Sequence, residues 1–366
     1  AGEFEGSVNF GSTVLSTNST SFNSRSIYVA CYDTTGTFQW AIKGGSANSF
    51  DDFVSLEVDD FGNIYILGLF NNPVQWGSLT WGKQTTGAAA FSREGYVVKL
   101  NPQGVAQWIK GIYSTTPTFS FNGVDLISSA DSSLYISGIY SQDIRITGTP
   151  TVLTASSTPV RSSVYVAKLD LNGNVRLFER IVDYNSNFSN STTNDLEAIN
   201  DSSFYYVGDH TNNNTFGSNN RTISSTNTSV VIAKFTNAFC NWAIPGVSPN
   251  AFFSSFSSEI HIDRNEDVIF AGSFRNSIQF QSNTVNAFGS NVNWYVGKIS
   301  PNGSVLNLNA LRISGTNISD LTSTSKNETI LAGSFPDSVD FNGIKTKSNG
   351  SDDLILLNLD SNLNVN

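Results

Sequence analysis

The segment FVSLEVDDFGNIYILGLF, from Phe53 to Phe70, returns in altered copies along the whole chain, and that return limits the fold more than any single motif does. Val54, Leu56 and Val58 alternate with polar residues, so one face of an extended strand is apolar. Asp59, Asp60, Phe61, Gly62 and Asn63 follow, a cluster that tolerates positive φ or bonds its own backbone and so makes a tight turn. Ile64, Tyr65 and Ile66 then open a second strand that closes on Gly68 and Phe70. The unit is strand, turn, strand.

The second strand and its glycine recur at Leu134 to Gly138, Phe204 to Gly208, Val268 to Gly272 and Thr329 to Gly333. AGEF at Ala1 to Phe4 matches AGSF at Ala271 to Phe274 and at Ala332 to Phe335, so the chain opens inside a copy. Gly2, Gly68, Gly138, Gly208, Gly272 and Gly333 thus mark a repeat of about 60 to 70 residues. A third strand recurs as YVACY at Tyr28, YVVKL at Tyr96, YVAKL at Tyr165, VIAKF at Val231, YVGKI at Tyr295 and ILLNL at Ile355; turns such as NPQG and DLNG follow it. A fourth strand carries Trp40, Trp108 and Trp242 at nearly one offset. Between the second and third strands lies a hairpin with one kept apolar position, filled by Phe10, Trp76, Ile146, Phe216, Phe280 or Phe341, which reads as a plug over a core edge. Lys99, Lys168, Lys234 and Lys298 recur in the third strand; they read as edge lysines that block further pairing, against the rival of a basic binding ring.

At 39% hydrophobic and 12% aromatic, the 366 residues are ample for a core. Only 14% are charged, and a net charge of -10 makes nucleic acid an unsuitable partner. Cys31 and Cys240 fall at different positions of different copies and read as free or buried thiols, not a disulfide. No apolar run approaches a membrane span, so none is expected. The lack of methionine, even at residue 1, reads as a processed mature chain or a fragment, and the expected location is extracellular or at the cell surface.

Four short strands per copy, six third strands and no helical periodicity point to radial repetition. A four-stranded twisted sheet cannot cover both of its faces, and packing such sheets around an axis covers them all. The expected fold is all-β: a six-bladed β-propeller of four-stranded blades with hairpin insertions, one domain over 1–366, with copies near 1–52, 53–123, 124–194, 195–257, 258–317 and 318–366. The first strand occurs five times against six for the third, so one blade is expected to be incomplete and split between the termini. AGSF, the hairpin, YVAKLD-x-NG, the tryptophan and VDDFGNIYILG together resemble the β-propeller repeat proteins known for SBBP-type repeats, a secreted and cell-surface family of bacteria and archaea. The resemblance spans essentially the whole chain and implies a scaffold without a shared catalytic set.

His210 and His261 lie in different copies, and no G-x-S-x-G, P-loop, CxxC or HExxH is present, so no catalytic residue or organic cofactor is assigned and an enzyme is not expected. His261 stands where the clean copy has Glu57 and reads as a strand histidine with a satisfied hydrogen bond; the rival is a site near an axial channel. Asp263, Asn265 and Asp267 have the one-three-five spacing of a calcium loop and are the calcium candidates, with Asp170, Asn172 and Asn174 similarly placed; plain turns are the favoured reading of both. Trp76 and Trp81 resemble a sugar-stacking pair, but Trp76 falls where other copies carry Phe or Ile, and packing is the expectation for both. Sequons at Asn187, Asn190, Asn213, Asn220 and Asn227 cluster in polar sequence and are the glycosylation candidates, although sequons over the whole chain are no more frequent than its composition gives by chance.

Two function classes survive. The first is a structural or adhesive cell-surface module that associates with itself or with other surface components, with Ala1, Phe4, Leu354, Leu356 and Leu359 as its assembly residues. The second is a glycan-binding propeller; a lectin would repeat an exposed aromatic and acid in every blade, and no such pair recurs, which favours the first. The open edge of the incomplete blade is filled either by a clasp of Leu354 to Asn366 beside Ala1 to Phe10 or by a strand lent from a neighbouring copy of the chain. Strand donation repeated head to tail does not close, and it builds a fibre.

Overall fold

The computed structural model describes residues 1–17, 25–46, 51–84, 93–114, 121–128, 133–141, 143–154, 163–184, 193–210, 213–224, 229–248, 256–289, 291–314, 318–336, 338–341, 344–350 and 352–366. Among the described residues the regular elements are β-strands in antiparallel sheets, with no helix, and so none that is long and apolar enough to cross a membrane. The chain divides into two compact units, Ala1–Arg180 and Ile181–Asn366.

In the first unit, copy 2 sets the pattern: Asp52–Val58, Ile64–Phe70, Glu94–Leu100 and Ala106–Tyr113 lie side by side as first to fourth strands. Copy 1 has Gly2–Phe4, Ser26–Tyr32 and Phe38–Ser46; copy 3 has Phe121–Ser128, Leu134–Tyr140, Ser163–Leu169 and Val175–Tyr184, the last of which runs past Arg180 into the second unit. In the second unit, copy 4 has Thr193–Ala198, Ser203–His210, Ser229–Thr236 and Phe239–Val247, and copy 5 has Phe256–Ile262, Val268–Phe274, Asn293–Ile299 and Val305–Ser314. Copy 6 has Ile318–Ser323, Thr329–Phe335 and Asp353–Leu359. Among the described residues two sheets are therefore short, where one was expected: copy 1 lacks a first strand and copy 6 lacks a fourth.

The hairpin between second and third strands joins the sheet before its own. Val74–Trp76 extends the fourth strand of copy 1, and Ser277–Phe280 extends the fourth strand of copy 4. Each kept aromatic rests on a glycine of that strand: a Cβ on Gly44 would lie 2.0 Å from the Trp76 ring, and one on Gly246 would lie 2.4 Å from Phe280. The hairpin is thus a latch between consecutive copies rather than a plug on one. The first hairpin, Ser7–Phe10 with Thr13–Ser16, forms a separate two-stranded sheet, and Phe10 stacks near Tyr28 at 4.8 Å.

The repeat glycine of the second strand has the same cause. A Cβ on Gly68 would meet the Tyr96 ring at 2.7 Å, and one on Gly272 would meet Tyr295 at 2.4 Å, so the glycine lets a third-strand tyrosine lie across its neighbour.

In the copies that carry the lysines the third strand is central, not an edge. Glu94–Leu100 pairs on one side with Ile64–Phe70 and on the other with Ala106–Tyr113, and all seven of its residues are buried. The edge reading of the lysines therefore fails. Because both faces of the strand are apolar, each must be covered by another sheet. In the first unit Ile27 and Val29 of copy 1 pack with Ile66, Phe70, Tyr96 and Val98 of copy 2, whose opposite face, Leu67 and Val97, packs with Leu134, Ile136 and Ala167 of copy 3. In the second unit Val230 and Ile232 meet Ile260 and Phe270, and Val296 meets Leu331 and Leu357.

Gly44→Ala is expected to lower stability by about 1–3 kcal/mol through overpacking against Trp76. Combined with Trp76→Ala it should cost less than the sum of the two single changes, as read from urea unfolding followed by far-UV circular dichroism. An additive pair would contradict the glycine–ring contact.

Candidate functional site

The hairpin turns share one device. Asp59 Oδ1 accepts the N–H of Phe61 at 3.0 Å and of Asn63 at 2.8 Å, and Asp170, Asp360 and Asn101 repeat the bonds two and four residues on. Asp263 does the same with Asn265 and Asp267. Its other oxygen accepts from Lys298 Nζ at 2.8 Å, and its side chain is fully buried. The calcium spacing of Asp263, Asn265 and Asp267 is thus a closed turn: an ammonium stands beside the carboxylate, and Asn265 and Asp267 point backbone donors at it. Asp170, Asn172 and Asn174 are the same turn, with Arg176 and the Asn174 side-chain amide donating to the other oxygen. No group of three or more His, Cys, Asp or Glu among the described residues is arranged to hold a metal. At Asp59 burial pushes the carboxyl pKa up, but hydrogen bonds from Asn63, Tyr65 and the Phe61 N–H outweigh it and hold the group below its ordinary value.

These turns receive the recurring tryptophans and lysines. Trp108 Nε1 and Lys99 Nζ both donate to the carbonyl of Leu171, in the next copy, at 3.1 and 3.0 Å. Trp242 and Lys234 do the same to Pro301, at 3.1 and 3.3 Å, and Trp40 donates to Pro102 at 3.0 Å with Cys31 in the lysine position. In copy 5 Asn307 takes the tryptophan place and Asn309 assists, both donating to the Asn362 carbonyl. The lysine ammoniums also sit over tyrosine rings, Lys99 at 5.4 Å from Tyr65 and Lys234 at 5.4 Å from Tyr205. Burial lowers the pKa of both lysines. They hold sheet to sheet and do not form a basic binding surface.

The richest polar constellation lies on the first strands of the second unit. His261 Nδ1 lies 3.3 Å from Glu197 Oε1, and its Nε2 lies 3.0 Å from Ser323 Oγ. Three consecutive first strands thus contribute acid, imidazole and hydroxyl, each about one repeat from the next, while Asp195 Oδ2 accepts the Ile260 N–H at 2.9 Å. His261 has the hydrogen-bonded setting expected of it; its partners were invisible because they lie in other copies. Acid, imidazole and hydroxyl in this order form the relay of a nucleophilic hydrolase. Such chemistry also requires donors aimed at an oxyanion, whereas the Thr324 N–H beside Ser323 is committed to the Glu328 carbonyl and Ser323 sits in the ladder opposite Thr329.

The other expected residues separate. Trp76 is fully buried, and Trp81 is half-buried on Gly111, where a Cβ would lie 2.2 Å from its ring. Cys31 and Cys240 are free thiols, and burial pushes Cys240 up to about 11. Asn213 and Asn220 are exposed; Asn187, Asn190 and Asn227 lie outside the described residues. Of the assembly residues, Ala1 is exposed, Phe4 packs near Tyr28, and Leu359 is core. Leu354 and Leu356 are 73% and 65% exposed. The end of the chain turns back on its own last strand, with Val365 bridged to Leu359 and the Asn366 N–H donating to the Asn358 carbonyl at 2.9 Å.

No protein-family model and no curated protein matches the chain. Among solved structures, a protein of unknown function from Bacteroides caccae is similar over 74% of this chain and 88% of its own, at 10% identity and a TM-score of 0.28, a likeness that carries no argument here.

His210 is buried between Tyr206, whose hydroxyl lies 3.2 Å from Nε2, and the edge of Phe216, and burial lowers its pKa from 6.5 to about 3. Above pH 6.5 it is neutral in folded and unfolded chain alike. Between 6.5 and about 3 the unfolded chain binds a proton that the folded chain does not, so stability falls as the pH falls, by roughly 1 kcal/mol per pH unit. Urea midpoints from pH 7 to 4 should show a shallower decline for His210→Asn than for the wild type; parallel declines would contradict this.

Proposed function

We propose that the chain is a non-enzymatic structural or adhesive module of the extracellular space or cell surface. In this reading it is a six-bladed β-propeller of SBBP-type repeats that associates with copies of itself as the subunit of a filament or lattice. The observation that supports it is the pair Leu354 and Leu356, two large apolar side chains left exposed on a strand type whose counterparts are buried. Asp353–Leu359 is also an edge of a three-stranded sheet, the kind of edge to which a strand from a neighbour can add. The exposed sequons at Asn213 and Asn220 suit a glycoprotein surface. Glycan binding through tryptophan has less support, because Trp76 and Trp81 pack against glycines.

A hydrolase is the second reading, and it rests on the Glu197, His261 and Ser323 row alone. Light scattering from micromolar to millimolar chain should give a molar mass that rises above 39.6 kDa with concentration. A mass fixed at that of one chain would overturn self-association. A fluorophosphonate probe should leave Ser323 unlabelled; labelling that His261→Ala abolishes, with the fold intact, would favour the hydrolase instead.

A further inference from the structure

We infer that Lys298 and Asp263 join in an intramolecular amide bond, made by condensation of the lysine amine with the aspartate carboxyl and loss of one water. The bond ties the turn between the first and second strands of copy 5 to the central third strand of the same sheet, and it does not depend on self-association.

Copy 5 departs from its relatives at the place where this pair sits. In copies 2, 3 and 4 the third-strand lysine lies opposite a tyrosine: Lys99 opposite Tyr65, Lys168 opposite Tyr135 and Lys234 opposite Tyr205. Each ammonium sits over that ring. In copy 5 the residue opposite Lys298 is Ile269, and Asn307 stands in the tryptophan place. With no ring to hold it, Lys298 Nζ comes to Asp263 Oδ2 at 2.8 Å. The turn carboxylates Asp59, Asp170 and Asp360 bond amides, a phenol or a guanidinium on the corresponding oxygen, none of them an alkyl amine.

The turn also supplies what acyl transfer requires. Asp263 Oδ1 accepts the N–H of Asn265 at 2.8 Å and of Asp267 at 3.1 Å, and two fixed donors on one carboxyl oxygen become an oxyanion hole once Cγ is tetrahedral. The Asp263 side chain is fully buried and that of Lys298 is 10% exposed. Lys298 shares its strand face with Val296, which packs among Ile269, Leu331 and Leu357, so the water that would reverse a condensation has little access.

Proton transfer along the Lys298–Asp263 contact converts ammonium and carboxylate to amine and carboxylic acid. The nitrogen lone pair attacks Cγ, and the negative charge that develops on Oδ1 is met by the two N–H groups. The nitrogen then gives up a proton, Oδ2 takes it, and the Cγ–Oδ2 bond breaks to release water. Asp267 is the carboxyl in this turn that carries the proton across. Burial and then the Asp263 charge raise its pKa, with Lys298 opposing, so it is coupled to both partners. One ammonium and one carboxylate give one secondary amide and one water, with no oxidant or cofactor. Cys31 and Cys240 are free, so the amide is a covalent brace of a kind that the thiols do not provide.

Intact-mass measurement of the purified 366-residue chain under denaturing conditions tests the bond. The wild type is expected about 18 Da below the mass of its sequence, whereas Lys298→Arg and Asp263→Ala should each stand at full mass. Trypsin separates this loss from dehydration elsewhere: Lys298 in an amide is not cleaved, so 235–264 and 276–312 should emerge as one branched peptide. Asp267→Asn should slow the bond at least about tenfold and leave most of the freshly purified chain at full mass. A wild type at full mass, or a loss that maps to other residues, would overturn the bond even if every variant misfolds. An Asp267→Asn chain as completely dehydrated as the wild type would overturn the part given to Asp267.

Discussion

The structure depends on a strand that is apolar on both faces. In Glu94–Leu100, Ser163–Leu169 and Asn293–Ile299 every residue is buried, and a single sheet cannot supply cover for two faces. Covering them requires another sheet on each side, so within each unit a copy is completed by its neighbours. Apolar burial is non-directional and would by itself allow many stackings. Register comes from close steric fits: tyrosine over the second-strand glycine within a copy, and Trp76 or Phe280 over a fourth-strand glycine between copies.

Polar groups at these junctions are satisfied in ways that reinforce the stacking. A turn carbonyl of one copy accepts both the indole N–H and the ammonium of the copy before it, at Leu171 and again at Pro301. The low local dielectric strengthens such bonds and makes their loss costly. Where copy 5 lacks the tryptophan, Lys298 pairs instead with the buried Asp263 and asparagine amides reach the next turn, so the junction survives a change of side chain. The Glu197, His261 and Ser323 row extends the same habit to the first strands.

Much of this was legible in the sequence where the cause is local. Alternation and the Asp, Asn and Gly turns announce the strands and hairpins, since Asp59 and Asp170 bond backbone two and four residues away. The recurrent glycine was visible, though not its reason, which is a tyrosine on another strand. What could not be read depends on partners in another copy. The hairpin's attachment to the preceding sheet, the carbonyls met by Lys99 and Lys234, and both partners of His261 are all about one repeat or more away from their own copy's pattern. The lysines misled because a polar residue in a short strand looks alike at an edge and at a centre, and only the neighbour that accepts its proton distinguishes them. At the calcium spacing the turn was the favoured reading but not the only one, because alternate oxygens serve a turn as well as a cation, and Lys298, which stands beside the Asp263 carboxylate, lies 35 residues away. The assembly residues were mixed, because exposure on a strand depends on which sheet covers it: Leu359 is core, and Leu354 on the same strand is not.

The central claim is that a third strand is protected because neighbouring sheets cover both of its faces. Native-state hydrogen exchange on the dilute, monomeric chain measures this most directly. The account predicts that amides of Asn293–Ile299 exchange only when their unit unfolds, while those of Asp353–Leu359, with one face uncovered and no fourth strand beside it, exchange at least about a hundredfold faster. Equal protection of the two strands in the monomer would contradict it.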